Sequence, residues 1–148
     1  MVDYRHSKSF GERCEYIAMA ELLKRGFDVY KTLVDDSGID CIIKINENRY
    51  LDVQIKARSK DIDPGDAALF AGMTLEPRNN YFFIFYSQHL DTYWIVPSQE
   101  LTKIAYKNKK GKNIGSYVLW FNGMKNGVPY AKERFDQYKN ENGFKLIK

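Results

Sequence analysis

Residues Gly38 to Lys56, GIDCIIKINENRYLDVQIK, alternate apolar and polar side chains through two runs that flank Glu47-Asn48-Arg49. A period of two marks strands with one buried face, so the stretch predicts an antiparallel hairpin. Setting Cys41 against Ile55, Ile43 against Val53 and Ile45 against Leu51 places apolar cross-strand pairs on one face, with Glu47-Asn48-Arg49 as the loop. On the other face this register sets Lys44 against Asp52, Ile42 against Gln54 and Asp40 against Lys56. A carboxylate, an amide and an ammonium then meet at one end of a hairpin whose reverse side is core. The hairpin alone leaves two readings open: a cross-strand ion pair worth little at a surface, or one part of a site.

The preceding segment decides how much acid can join that end. A helix is expected from about Ser9, with Glu12 three residues on in a capping-box arrangement, to Arg25, where Gly26 stops it. Ala18, Met19, Leu22 and Leu23 share one stripe, and Glu15 projects from its middle one turn before Met19. A carboxylate in a buried stripe is costly unless a cation offsets it. Glu12 reads as a cap. Phe27 to Val34 follows as a strand, and Asp35-Asp36-Ser37-Gly38 as a turn whose glycine lets the chain fold sharply into Asp40. Asp35 and Asp36 read as turn residues within reach of the same opening.

At 148 residues and 44% hydrophobic, the chain has the size and apolar content for a single domain with one sizeable core. The expected core spans residues 9 to 97, and residues 98 to 148 form a C-terminal extension. The net charge of +4 is mild but compatible with a polyanionic partner. Cys14 and Cys41 fall on predicted core faces without metal spacing, and His6 and His89 stand alone, which disfavours zinc or histidine-based nucleophilic chemistry. The N-terminal MVDYRHSKSF lacks a signal-peptide apolar run and no stretch is long enough to span a bilayer, so the expectation is a cytoplasmic protein without a membrane partner.

Beyond Lys56, the residues Arg58 and Lys60 continue a basic run. A turn at Asp63-Pro64-Gly65 leads to an expected short helix over 66–73. Tyr81 to Tyr86 is a continuous apolar run, as for an interior strand covered by helices on both faces. Thr92 to Val96 returns as a strand, and Ser98 is expected to cap a helix from Gln99 to Tyr106. Lys107, Lys109, Lys110 and Lys112 follow with no acid between them, either as a solvated loop or in contact with phosphate. Ser116 to Phe121 is a further strand, and Ala131, Phe135 and Tyr138 give an amphipathic helical pattern.

Glu15, Asp40 and Lys56 together make a coherent set for phosphodiester hydrolysis. Carboxylates hold Mg²⁺, or Mn²⁺, through oxygen, with Gln54 and the backbone carbonyl of Ile55 as neutral ligands. Lys56 serves as the catalytic cation, orienting or deprotonating water or stabilising the transition state.

These residues resemble the PD-(D/E)XK nuclease superfamily. The helix GERCEYIAMAELLKRGF is similar to the first helix of Holliday-junction-resolvase-like members, Gly38-Ile39-Asp40 to the motif's aspartate, and Gln54-Ile55-Lys56 to its (D/E)-X-K tripeptide. The resemblance covers residues 9 to 58. It implies an α/β fold with a restriction-endonuclease-like core, a mixed central sheet of four or more strands flanked by helices. It also implies a metal-dependent DNA endonuclease with Glu15 and Asp40 as metal ligands, and a homodimer. Gln54 departs from the pattern by replacing the second acid, which removes a negative charge from the ion's surroundings. The alternatives are a binding-only nucleic-acid module of the same fold, with RNA as well as DNA open as partner, and an interaction subunit of a defence system. Arg58, Lys60 and the Lys107 to Lys112 loop are the expected backbone contacts.

Overall fold

The apolar stripe does form a helix, and Gly26, at φ 91°, ends it in the left-handed conformation that favours glycine. The computed structural model describes residues 4–36 and 38–148, with side chains described over 8–34 and 38–148. Helix α1 runs Tyr4–Lys24. It begins before Ser9, so Ser9 and Glu12 lie inside it and the expected capping box does not form. Cys14, Ala18, Met19 and Leu22 are its buried stripe, whereas Leu23 is 56% exposed.

Strand β1 (Asp28–Asp36) leads into β2 (Ile39–Asn46) and β3 (Arg49–Arg58), both strands of the predicted hairpin. The faces are as expected but the register is not. Cys41 pairs with Val53, Ile43 with Leu51 and Lys44 with Tyr50, so every partner is displaced by two residues. A period of two fixes which side chains are buried and is blind to a shift of two. The difference arises at the loop, where Asn46 Oδ1 accepts from Asn48 N at 2.8 Å and Asn46 pairs directly with Arg49 across an irregularity in the ladder. Ser37 and the side chains of His6, Asp35 and Asp36, which bear on the expected turn and the isolated histidine, lie outside the described residues.

After β3 the expected helix over 66–73 is replaced by a 3-10 turn at Pro64–Asp66 and strand β4 (Leu69–Met73). Strands β5 (Tyr81–Ser87) and β6 (Thr92–Pro97) follow, then α2 (Ser98–Ile104), β7 (Tyr106–Lys107), β8 (Tyr117–Trp120), β9 (Asn122–Lys125) and β10 (Val128–Ala131). The expected C-terminal amphipathic helix is instead a 3-10 segment, Glu133–Tyr138, and the short α3 (Asn140–Phe144).

The central sheet has the order β1-β2-β3-β5-β6. β3 and β5 run parallel and the other neighbours antiparallel, so the sheet is mixed. One face packs α1 against Cys41, Ile43, Val53, Ile55, Phe82 and Ile84, and Phe144 and Ile147 close the same core. The other face, expected to be covered by helices, carries the small sheet β4-β8-β7, whose Phe70, Met73 and Leu119 pack on Phe83, Phe85 and Trp94. Phe83 and Phe85 are fully buried, each contributing on the order of 1.5–3 kcal/mol. Ser98 does not cap α2. Its Oγ donates to the carbonyl of Arg78 at 2.9 Å and accepts from Arg78 N at 3.0 Å, tying the start of α2 to the approach of β5.

Candidate metal and phosphodiester site

Glu15 from α1 and Asp40 from the start of β2 line one cavity of about 210 Å³, together with Glu12, Lys31, Thr32 and Ile39. The helix contributes Glu12 and Glu15 because residues three apart share a face. Glu12 therefore belongs to the rim of this cavity and is not a cap, a placement the i,i+3 spacing contained. Lys31, also unassigned from sequence, comes from the neighbouring strand β1.

Asp40 Oδ2 accepts from the backbone N–H of Ile55 at 2.7 Å. The carboxylate thereby bridges β2 and β3 where their ladder ends. The predicted pairing of Asp40 with Lys56 is corrected by the register: continuing from Cys41 opposite Val53 brings Asp40 opposite Gln54, two residues short of Lys56. Thr32 Oγ1 donates to the carbonyls of Ile39 and Asp40, both at 3.0 Å, and fixes the backbone that carries the acid. The thiol of Cys41, directly after Asp40, is pushed up to about 12. Burial is the main cause, Asp40 and Glu15 add to it and Lys31 opposes them.

Gln54, Lys56 and Asp52 lie on the opposite face of β3 from the α1 core. Gln54 Oε1 accepts from the hydroxyl of Tyr81 at 2.8 Å. Burial raises the Tyr81 pKa, Arg78 opposes the rise, and Asp40 and Asp52 add to it, so the phenol stays a neutral donor. Gly38 backs the same amide: at φ 76°, a Cβ there would fall 2.9 Å from Gln54 Nε2. Arg78 lies 4.5 Å over the Tyr81 ring and holds Asp52 Oδ2 at 2.6 Å. Asp52, the more remote carboxylate on this face, is therefore engaged by Arg78. From sequence Tyr81 reads only as the start of an interior strand.

The basic candidates separate. Arg58 Nε donates to the carbonyl of Asp66 at 3.5 Å. Lys60 and Arg13 line a cavity of about 270 Å³. Lys107 joins Arg78 and Tyr81 around a cavity of about 670 Å³, which therefore borders the Gln54 amide through Tyr81. Lys109, Lys110 and Lys112 are exposed.

The donor set suits a hard, largely hydrated cation. Among the described residues, no three of His, Cys, Asp and Glu gather closely enough to hold an ion by themselves. Glu12, Glu15 and Asp40 line one cavity, and carboxylate oxygens are the ligand type that Mg²⁺ takes while it keeps several waters.

The whole fold has a solved counterpart. A bacterial homing endonuclease, I-Ssp6803I, superposes with a TM-score of 0.64 at 20% identity, over 95% of this chain and 92% of that one. The chain shares the fold of that endonuclease. At 95% of the chain the likeness extends well beyond residues 9 to 58, to which the sequence resemblance was confined. Hjc, a Holliday junction resolvase from Archaeoglobus fulgidus, gives a TM-score of 0.47 at 14% identity over 74% of this chain and 83% of that one. No family model matches the chain, and no curated protein matches its sequence. Among the described residues no helix is long and apolar enough to cross a membrane.

Proposed function

We propose that the protein is a metal-dependent DNA endonuclease that adds water across a phosphodiester P–O bond. The observation that carries this reading is the meeting of Glu15 and Asp40 in one cavity, with Asp40 bonded to the N–H of Ile55, the residue between Gln54 and Lys56 on β3. The likeness in fold to a homing endonuclease supports it.

Glu15 and Asp40 would hold Mg²⁺, with Gln54 Oε1 or the carbonyl of Ile55 as neutral donors. Bound there, the ion supplies Lewis acidity toward the phosphate oxygens. Asp40 is held in place by the Ile55 N–H, so little ordering remains at the moment of reaction. Tyr81 sets the direction of the Gln54 oxygen. Lys56, beyond Gln54 on the same face, would set its ammonium against the negative charge that develops on the oxygens of the pentacoordinate phosphorus, or orient the attacking water. Arg58, Lys60 and Lys107 contact the DNA backbone without reading sequence. Because one site cuts one strand, double-strand cleavage calls for a homodimer.

The test is nicking of supercoiled plasmid in Mg²⁺ or Mn²⁺ by the wild-type chain and by Lys56→Ala. Cleavage that needs the ion and falls at least a hundredfold in the variant is expected, a loss of about 2.7 kcal/mol. Equal cleavage by both would remove Lys56 from the chemistry. Gln54 favours a second reading, a module that binds DNA and does not cut it, because an amide there weakens the ion's hold. Salt-sensitive binding with no nicking under any divalent ion would select that reading.

A further inference from the structure

Strands β9 and β10 pair with each other and join neither of the sheets. An isolated two-stranded ribbon is marginal in water, and this one is fastened at its base. Asn122, 1% exposed, accepts from Ala68 N at 2.9 Å and donates to the carbonyl of Gly65 at 3.1 Å, and Trp120 Nε1 donates to the same carbonyl at 3.0 Å. The turn is built on Asn126 and Gly127, at φ 53° and 78°, the left-handed pair of a tight two-residue hairpin turn.

From Met124 to Tyr130 every residue of the ribbon except the buried Pro129 is exposed. Lys125 faces Val128 across the turn, and Val128 is 63% exposed, Met124 44% and Tyr130 48%. These apolar side chains bury little within the chain, so folding does not account for them. The charge around them is positive: between Asn122 and Arg134, Lys125, Lys132 and Arg134 stand against Glu133 alone.

The base of the ribbon sits at the end of the strand that carries Lys56. Gly65 belongs to the turn whose Asp66 carbonyl accepts from Arg58, two residues past Lys56 on β3. A strand advances about 3.4 Å per residue, so the tip stands roughly 10–14 Å from that base. A two-stranded ribbon of these dimensions fits the major groove of DNA, where apolar groups meet thymine methyls and lysines meet guanine O6 and N7.

We propose that the β9–β10 hairpin reads base edges in the major groove of duplex DNA, with Val128 and Lys125 at its tip in contact with the bases and Lys132 and Arg134 on the flanking phosphates. The inference rests on the nuclease reading for the choice of DNA and extends it to sequence selection. The Lys56→Ala chain, expected to bind without cutting, is taken through rounds of selection on a pool of randomised short duplexes at fixed salt.

A shared sequence should be enriched. Val128→Ser in that background should lower affinity for the enriched duplex roughly 5- to 100-fold, and change affinity for a scrambled duplex by less than about threefold. Lys125→Ala is the second variant, and circular dichroism checks that both are folded. No enrichment, or unchanged affinity of both variants for the enriched duplex, overturns the proposal. So does a loss of self-association in both variants without a loss of selectivity, since the ribbon would then join copies of the chain. Plasmid nicking by the wild type separates the two readings. Hairpin-dependent selection without nicking leaves the ribbon and removes the nuclease, and nicking without hairpin dependence does the reverse.

Discussion

The hydroxyl of Tyr81 donates to Gln54 Oε1 at 2.8 Å, so the amide that stands where the resembled motif would carry an acid is held by a residue on the adjacent parallel strand. The bond leaves Oε1 one free lone pair and sets its direction. Tyr81→Phe removes the donor and keeps the ring under Arg78. We expect a stability loss of about 1 kcal/mol in urea unfolding, and single-turnover cleavage slowed roughly tenfold, which is about 1.4 kcal/mol. Unchanged cleavage with the stability loss would make the bond purely structural.

Gly38→Ala tests the same amide from its other side. The position requires φ 76°, and the added Cβ would fall 2.9 Å from Gln54 Nε2. The left-handed backbone alone costs an alanine about 1–2 kcal/mol. Urea unfolding should show at least that loss. Because the amide must also move, cleavage should fall more than in a control of equal instability elsewhere, such as Gly26→Ala at φ 91° with open space around it.

How much of this was legible in the sequence depends on what each signal measures. Alternation in β2 and β3 gave the buried faces, and Gly26 and the apolar run of Tyr81 to Tyr86 gave a helix end and an interior strand, because each is a local property. The hairpin register was not legible, since alternation is unchanged by a shift of two and the deciding bond, Asn46 to Asn48, is a side-chain turn. Residues 66–73 carry alanines and a leucine that suit a helix. They form a strand because Leu69 and Phe70 pair with Trp120 and Leu119, some fifty residues on. At the site, Glu15 and Asp40 were found as acids on recognisable elements. Lys31, Tyr81 and Arg78 were missed, since only tertiary packing brings them to the motif.

Asp40 combines two roles that a pair of substitutions separates. Its Oδ2 accepts from Ile55 N at 2.7 Å, a bond an asparagine oxygen can keep. Asp40→Asn should retain stability within about 0.5 kcal/mol, and Asp40→Ala should lose about 1–3 kcal/mol by leaving the N–H unsatisfied. Both should abolish Mg²⁺ binding in calorimetry. Retained binding in the asparagine variant would take Asp40 out of the ion site.

Alkali should unfold the protein through its buried phenols and thiol. Burial raises the Tyr81, Tyr86, Tyr93 and Tyr138 pKa values above 10.0 and lifts Cys41 from 9.0 to about 12. Each raised value favours the protonated, folded form, so the contribution is complete below the unfolded pKa and is lost as pH rises through the folded one. Stability should therefore hold to about pH 9 and fall from there to pH 12. Tyrosinate absorbance should rise together with unfolding for these side chains. Ionisation of all tyrosines near pH 10 with the fold intact would contradict the burial.

Gln54→Glu addresses the departure from the motif directly. A glutamate of the same length keeps an acceptor for the Tyr81 hydroxyl and adds, opposite Asp40 in the register, an anion to the two acids Asp40 and Glu15 that share a cavity. Without a cation, three like charges raise one another's energy, so the variant should be less stable than wild type in chelator. With Mg²⁺ the added carboxylate becomes a ligand, and affinity should rise about tenfold, or 1.4 kcal/mol. A ligand that binds only the folded state stabilises it in proportion to its affinity. The melting temperature of the variant should thus climb more steeply with Mg²⁺ than that of wild type, a readout independent of cleavage. A variant whose melting temperature ignores Mg²⁺ would place residue 54 outside the ion's reach and make its amide a partner of Tyr81 alone.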